Sequence, residues 1–176
     1  MRSPPPLAHA LVCLDLQRGR QSLNPSADAA MLEACLLTLT QARSLRWPVL
    51  HVHSRASTGA AGRSISGLEP LPSEAVYVRN GPSPFSNRNF TQAVQALGGP
   101  LALIGFGLND TVLATAFGAA DRDLACQVVS DAIANPDRDR LGPHHPLRGL
   151  GPQVSLVTSS ELFQQGARRF AAANMP

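Results

Sequence analysis

The sequence predicts an α/β fold in which an open, Rossmann-like parallel sheet of about six strands carries helices on both faces, in three α-β-α layers. Six short apolar runs along the chain have the composition of strands buried on both faces. Segments with apolar residues at helical spacing alternate with these runs, which implies right-handed crossovers between parallel strands. Several runs end in a charged residue, at the edge where open α/β sheets place their ligands.

Size and charge narrow the possible function classes. The 176 residues, 44% of them hydrophobic, fit one domain over 1–176 that opens with a loose proline-rich tail at 1–7. All 15 basic residues are arginines, no basic run is longer than two, and aromatic residues make up only 5% of the chain. A nucleic-acid surface would need a basic stripe with stacking aromatic residues, so we expect no nucleic-acid partner.

The cysteines and the apolar runs indicate in which cellular compartment the protein is expected. Cys13, Cys35 and Cys126 are widely spaced and odd in number, which fits neither a disulfide framework nor a zinc pattern. The first residues are too proline-rich and too few for a signal peptide, and no apolar run approaches membrane-spanning length. The sequence therefore predicts a cytoplasmic protein without a membrane partner.

The predicted elements follow one another without an internal repeat. We expect strands at 9–17, 48–53, 75–79, 101–105, 125–131 and 154–157. The first helix has Asn24 or Ser26 as its N-cap. Its expected inward face, at helical spacing, consists of Leu32, Cys35, Leu36 and Leu39. A later helix is expected at about 109–122, and Thr158 with Glu161 forms a capping box for the last one.

The turn after the fourth strand is the most informative stretch. An apolar run ends in Gly105 and Gly107, and a helix rich in small residues follows at once. Backbone N–H donors and the positive end of the helix dipole converge there, so the turn suits an oxyanion or a carbonyl. Thr111, at the start of the helix, occupies the place expected for a nucleophile.

Polar residues also stand at other strand ends. Asp15 closes the first strand, where it serves either a ligand site or a neighbouring turn. His51 and His53 share one side of the second strand, but no third ligand stands at a suitable spacing, which favours hydrogen-bonded side chains over a metal site. The loop pair at 144–145 is open to a ligand, a metal or solvent. We assign no metal site and no cofactor.

Three motifs in order are similar to those of a known family. The stretch 10–17 resembles the first strand of the isochorismatase-like cysteine hydrolases, with its Asp-x-Gln ending. Residues 79–90 resemble that family's lysine-bearing strand, and 105–115 with 129–132 resemble its nucleophile turn and its Ser-Asp-Ala strand. This superfamily includes nicotinamidases and carbamoyl-amide hydrolases, so the resemblance implies a hydrolase of small carbonyl compounds.

The resemblance also implies a catalytic triad of Asp, Lys and Cys. Carried over by position, Asp15 matches the Asp, Arg79 stands at the Lys position and Thr111 at the Cys position. A threonine hydroxyl is far less acidic than a thiol and needs a strong, well-aimed base. An arginine fork grips a carboxylate at two points, which weakens that carboxylate as a base. Two of the three implied members are therefore changed in a way that disfavours the usual reaction.

Other residues near the implied site are candidates for ligand contacts. We assign this role to Gln17, Phe85, Phe106, Gly107 and Asp110. The loops 54–73 and 135–152 are expected to form much of the pocket wall. Cys13 shares a strand side with Asp15 but sits deeper, and Cys126 opens a different strand, so neither replaces the missing thiol.

Three hypotheses follow. The first is an impaired or repurposed member of the family that binds a small carbonyl or carboxylate ligand, with Arg79 and the amides around Thr111 favouring an anion. The second is an active hydrolase of small amides or vinyl ethers that uses Thr111 or a water activated by Asp15. The third is a structural subunit, since members of the family assemble into homo-oligomers of two or more chains.

Overall fold

In the computed structural model, residues 10–134, 142 and 145–164 are described. Six strands form one sheet: β1 Ala10–Leu14, β2 Val49–Ser54, β3 Ala75–Arg79, β4 Leu101–Gly105, β5 Cys126–Ile133 and β6 Val154–Val157. Their order is β3-β2-β1-β4-β5-β6, and every neighbouring pair is parallel. The predicted parallel α/β sheet of six strands is confirmed.

The helices connect these strands. They are α1 Pro25–Ser44, α2 Gly59–Gly62, α3 Arg88–Leu97, α4 Leu113–Ala120, and α5, which begins at Ser159. Short 3-10 turns lie at Arg18–Arg20, Pro84–Ser86, Pro146–Gly149 and Gly151–Gln153. Asn24 caps α1 by accepting the N–H of Ser26 at 3.2 Å, and the predicted capping box of Thr158 and Glu161 forms.

Two apolar cores lie on opposite faces of the sheet. Residues of α3 and α4 pack on one face, where Phe90, Val94, Val112 and Ala116 are fully buried. Residues of α1 and α5 pack on the other face, where Cys35, Leu39 and Leu162 are fully buried. Helices therefore cover both faces, and the carboxyl ends of the strands remain as the edge available for a site.

Four details differ from the prediction. The first strand, expected at 9–17, ends at Leu14 because Asp15 takes a left-handed φ of 51°. The helix expected at 109–122 begins as a π-helical turn, Leu108–Val112, because the carbonyl of Gly107 accepts the N–H of Val112 at 2.8 Å. Asp131 does not end β5: the strand continues to Ile133, and the Asp131 carboxylate accepts the N–H and hydroxyl of Ser159. Leu36, expected in the core, is 44% exposed on the outer face of α1.

Some predictions fall outside the described part of the chain, namely the tail 1–7, His144, and residues 135–141 and 143 of the loop predicted at 135–152. Within the described residues, no helix has the length and apolar character needed to cross a membrane.

Candidate active site at the carboxyl edge of the sheet

The site lies where the strand order reverses, between β1 and β4. Leu14, the last residue of β1, pairs with Gly105, the last residue of β4, so the chain segments that follow them begin side by side. Such a reversal opens a crevice beyond the carboxyl ends of the strands, which is where ligands bind in open α/β sheets.

Asp15 enters this crevice through an unusual backbone conformation. It has φ 51°, a left-handed value that Asp tolerates better than most residues, and its N–H donates to the carbonyl of Val52 at 2.8 Å. Asp15 is completely buried, so its carboxylate must be satisfied by protein groups.

Arg79 is the main partner of Asp15. Its Nε donates to Asp15 Oδ1 at 3.0 Å and its Nη2 to Asp15 Oδ2 at 2.5 Å, a two-point contact. Nη1 donates to the carbonyl of Gly81 at 2.7 Å, so all three nitrogens of the guanidinium make protein contacts. The side chain of Arg79 is 10% exposed, which leaves little of this ion pair open to solvent.

Thr111 joins the same cluster. Its Oγ1 donates to Asp15 Oδ2 at 3.3 Å, and the residue is fully buried. The structure thus brings together Asp15, Arg79 and Thr111 although they are distant in sequence, and we call these three residues the Asp15 cluster. The π-helical turn removes the usual helical acceptor for the Thr111 N–H, which donates to the carboxylate of Asp110 at 2.6 Å.

Two glycines make this turn possible. Gly105 has φ 121°, and a Cβ there would stand 2.0 Å from the carbonyl oxygen of Leu14, which accepts the N–H of Phe106. Gly107 has φ 89°, and a Cβ there would stand 2.0 Å from Asp110 Oδ1. Gly105 therefore combines a left-handed backbone with a close approach of backbone atoms that excludes a side chain, whereas at Gly107 it is the left-handed backbone that favours glycine.

Arg20 is a site residue that the sequence did not reveal. Its Nη2 donates to Asp110 Oδ2 at 3.3 Å, and its Nε lies 3.8 Å from Asp15 Oδ2. Burial raises the pKa of Asp110, but the N–H of Thr111 and the charge of Arg20 outweigh it and hold that pKa below the ordinary value. The only signal in the sequence was a basic residue shortly after the first strand.

Among the described residues, the positive and negative charges of the site balance. Arg20 and Arg79 face the carboxylates of Asp15 and Asp110, and the turn amide expected to receive an oxyanion is occupied by Asp110. An external carbonyl or carboxylate reaches the N–H of Thr111 only if the Asp110 side chain moves away. That side chain is 55% exposed, so it has room to do so.

The predicted ligand contacts divide into two groups. Gly107 and Asp110 lie on the turn itself, as described above. Gln17 is 2% exposed and ties down the loop after β2, since its Nε2 donates to the carbonyl of Gly62 and its Oε1 accepts the N–H of Ser54. Phe85 and Phe106 pack into the two opposite cores, where they support the turns that carry the site. The ligand role of all five positions stays a prediction.

The histidines make contacts of their own. Burial lowers the pKa of His51, whose Nε2 lies 2.9 Å from a carboxylate oxygen of Glu74. Burial also lowers the pKa of His53, whose Nε2 has no hydrogen-bond partner among the described residues. His145 links its loop to the turn after β4 through Asn109 at 3.3 Å. In the described ranges, no three His, Cys, Asp or Glu side chains are grouped so as to hold a metal ion.

The cysteines supply no thiolate to the site. Cys13, Cys35 and Cys126 are buried and unpaired in disulfides. Burial raises the pKa of Cys13 well above its ordinary value, and raises the pKa of Cys35 and of Cys126 to about 12. None of them replaces the thiol that Thr111 lacks.

Solved structures share this fold. They include N-carbamoylsarcosine amidase from Thermoplasma acidophilum, at 22% identity and TM-score 0.74 over 88% of this chain and 98% of that one. An isochorismatase from Pseudomonas putida KT2440 is 24% identical, with TM-score 0.76 over 90% and 93% of the two chains. An isochorismatase family protein from Desulfovibrio vulgaris is 20% identical, with TM-score 0.77 over 91% and 98%.

Comparison of the sequence with protein families identifies the family of the chain. No curated protein sequence matches the chain. The model of the isochorismatase domain matches residues 9–160, which include β1, the turn after β4 and every residue of the Asp15 cluster. The chain therefore belongs to the isochorismatase family.

Proposed function

We propose that this chain binds a small carbonyl or carboxylate ligand at the Asp15 cluster and that its hydrolytic chemistry is impaired. The observation that carries the proposal is the two-point contact of Arg79 with Asp15, at 3.0 and 2.5 Å. This contact engages Asp15, the residue that the family mechanism would use as its base.

The contact disfavours proton transfer for a geometric reason. Both oxygens of Asp15 accept hydrogen bonds from Arg79, and Oδ2 also accepts the Thr111 hydroxyl and lies 3.8 Å from Arg20 Nε. Each oxygen of this carboxylate already accepts a hydrogen bond from the Arg79 guanidinium, which competes for the lone pairs that a base must offer. The hydroxyl of Thr111 needs a stronger base than a thiol does, so the nucleophile and the base are both poorly suited to their tasks.

Ligand binding is supported by the donors around the turn. Asp110, a carboxylate of the protein itself, already accepts the N–H of Thr111 and a bond from Arg20. A ligand carboxylate of the same shape satisfies the same two donors once Asp110 turns outward to solvent. The balanced charges of the site favour ligands with a single carboxylate or a neutral carbonyl over multiply charged anions.

An active hydrolase of small amides or vinyl ethers is the second candidate. The observation in its favour is the hydrogen bond of Thr111 Oγ1 to Asp15 Oδ2 at 3.3 Å, which joins a hydroxyl to a carboxylate base. In this reading Thr111, or a water held by Asp15, attacks the carbonyl carbon. One of the structural neighbours is named as an amidase, which makes small amides the first substrates to assay.

A paired set of variants separates the two candidates. The natural protein and the double variant Thr111→Cys/Arg79→Lys are assayed on simple amides, with Asp15→Asn introduced into each. We expect the double variant to hydrolyse amides at least about 10²-fold faster than the natural protein, because a thiol and a released carboxylate restore general-base catalysis. Comparable hydrolysis by the natural protein that disappears in Asp15→Asn establishes the active hydrolase instead.

We further propose a cytoplasmic homo-oligomer. The three free, buried cysteines suit a reducing compartment. Leu36 and Leu37 are 44% and 61% exposed on the outer face of α1, an apolar surface that a second chain would cover. Measuring the molar mass in solution tests the assembly, and a monomer at all concentrations contradicts it.

A further inference from the structure

A second concave site lies at the opposite edge of the sheet from Asp15. It is a groove of about 460 Å³ at the amino ends of β2 and β3, and we call it the edge groove. Trp47 and Tyr77 form parts of its walls, and Leu71 and Leu97 lie at its rim with 45% and 37% of their surface exposed. Its volume falls within the usual range for small-molecule sites.

The aromatic walls are held in place from behind. The ring of Trp47 packs on Phe163 with centroids 5.2 Å apart, and the ring of Tyr77 packs edge-on against Phe90 at 5.5 Å. Rings fixed in this way present apolar surface at little entropic cost when a ligand binds. The edge groove therefore suits an apolar chain or ring.

Among the described residues that line the edge groove, the single acidic side chain is already neutralised. Glu74 accepts hydrogen bonds from Nε and Nη2 of Arg43, both at 2.8 Å, from His51 at 2.9 Å and from the N–H of Leu71 at 2.9 Å. Burial raises the pKa of Glu74, but these bonds outweigh it and lower the pKa to about 2. Glu74 and Arg43 thus form a closed ion pair that offers no net charge to a ligand.

Arg46 is the unmatched charge of the edge groove. It lines the groove and is exposed, and among the described residues its guanidinium has no acidic or hydrogen-bonding partner. Arg46 also follows the end of α1 with φ 56°, a left-handed conformation that glycine adopts more easily. The exposed cation of Arg46 is therefore available to an anionic group of a ligand.

We propose that the edge groove binds a medium-chain or arylalkyl monocarboxylate, with the apolar body on the aromatic and aliphatic walls of the groove and the carboxylate on Arg46. One cation above an apolar, aromatic-walled groove is complementary to a ligand with one anionic end. The site is separate from the Asp15 cluster, since it lies at the other end of the strands and shares no residue with it.

Trp47 provides a direct test because it is the only tryptophan of the chain. Octanoate is titrated into the full chain while tryptophan emission is recorded, with octylammonium and 1-octanol as probes that keep the chain but change the head group. We expect a saturable change in emission with octanoate and at least about tenfold weaker binding of the other two, the loss expected for one charge-assisted contact.

Variants of Arg46 test whether this residue binds the carboxylate of octanoate. Arg46→Gly is expected to weaken octanoate binding at least about tenfold while the Tm stays the same or rises, since glycine relieves the left-handed backbone. Arg46→Lys keeps most of the binding. Arg63→Gln, a matched loss of one exposed arginine near the other edge, and Asp15→Asn both leave octanoate binding unchanged.

Several results overturn the proposal. These are the absence of a saturable emission change, equal binding of octylammonium, and unchanged octanoate binding in Arg46→Gly. A shift of Trp47 emission that follows protein concentration without octanoate also overturns it, because a second copy of the chain then covers the edge groove. Since Asp15→Asn is included, failure here is distinguishable from failure of the proposed function.

Discussion

Arg79 holds the carboxylate of Asp15 at two points, through Nε to Oδ1 at 3.0 Å and Nη2 to Oδ2 at 2.5 Å. The pair spans two strand ends that are not neighbours in the sheet, with β2 between them. Asp15 is completely buried and Arg79 nearly so, which makes each the principal counter-charge of the other. The contact therefore stabilises the fold and at the same time engages the residue that a hydrolase would use as its base.

Removing one partner of the Asp15–Arg79 pair tests how much the pair contributes to stability. Arg79→Ala leaves the buried Asp15 carboxylate with Arg20, at 3.8 Å, as its only cation among the described residues, so we expect a loss of about 3 kcal/mol in the free energy of unfolding. Urea denaturation measures this loss. In Asp15→Asn/Arg79→Ala no charge is left unpaired, and the double variant is expected to recover at least about 1 kcal/mol of it.

The matched control for that experiment is Arg20→Ala. The side chain of Arg20 is 29% exposed and its contacts with carboxylates are longer, so we expect a loss below about 1 kcal/mol. Equal losses in Arg20→Ala and Arg79→Ala would contradict the view that Arg79 is the principal partner of Asp15.

In the proposed ligand site, Asp110 competes with a carboxylate ligand for the N–H of Thr111 and for Arg20. Asp110→Ala is expected to strengthen the binding of acetate by about tenfold, because the variant no longer offers an internal carboxylate to these donors. NMR titration of the Thr111 amide follows the binding. Asp121→Ala removes an exposed acidic residue elsewhere and should leave acetate binding unchanged. Weaker acetate binding in Asp110→Ala is incompatible with this competition.

Much of the site was predictable because strand ends and glycine turns leave a local pattern in the sequence. Asp15 after an apolar run and the pair Gly105 and Gly107 before a small-residue helix locate the crevice without knowledge of the rest. The π-helical turn was not predictable from the sequence. It depends on which backbone N–H donates to the carbonyl of Gly107, and the packing of the surrounding residues determines that.

Residues whose partners come from distant loops were also missed. Arg20 gains its role only when Asp110 lies opposite, 90 residues away, and Glu74 meets both Arg43 and His51 only once the sheet has formed. Leu36 satisfies the helical spacing of a core position, yet α1 presents it outward. Helical spacing selects a face but does not determine its width, which depends on the elements packed against it.

The turn at Gly105 tolerates no side chain. In Gly105→Ala the added Cβ meets the backbone carbonyl of Leu14 at 2.0 Å and the residue must keep φ 121°, so we expect a loss of more than about 2 kcal/mol in stability. Thermal unfolding measures it. Gly149→Ala is the control, because nothing lies within 4 Å of its added Cβ, and its Tm should change little. A Gly105→Ala variant as stable as the natural protein shows that the strand pairing at Leu14 can shift.

Glu74 makes stability depend on pH in a way that can be assigned to one residue. Its pKa in the folded protein is about 2, below the ordinary 4.5, because hydrogen bonds from Arg43, Leu71 and His51 outweigh the effect of burial. A carboxyl whose folded pKa is depressed stabilises the protein fully above its unfolded pKa. That contribution is lost as the pH falls from about 4.5 towards about 2.

Glu74→Gln should therefore be less stable than the natural protein by about 2 kcal/mol at pH 7, since it loses charged hydrogen bonds to Arg43 and His51. Going down from pH 4.5, the natural protein loses stability that the variant never had, so the gap between their Tm values narrows. Melting curves across this range provide the measurement, with Glu33→Gln on the exposed side of α1 as the control for a lost charge. If the difference in Tm between the natural protein and Glu74→Gln stays constant across this pH range, Glu74 is not the residue through which the natural protein loses stability in acid.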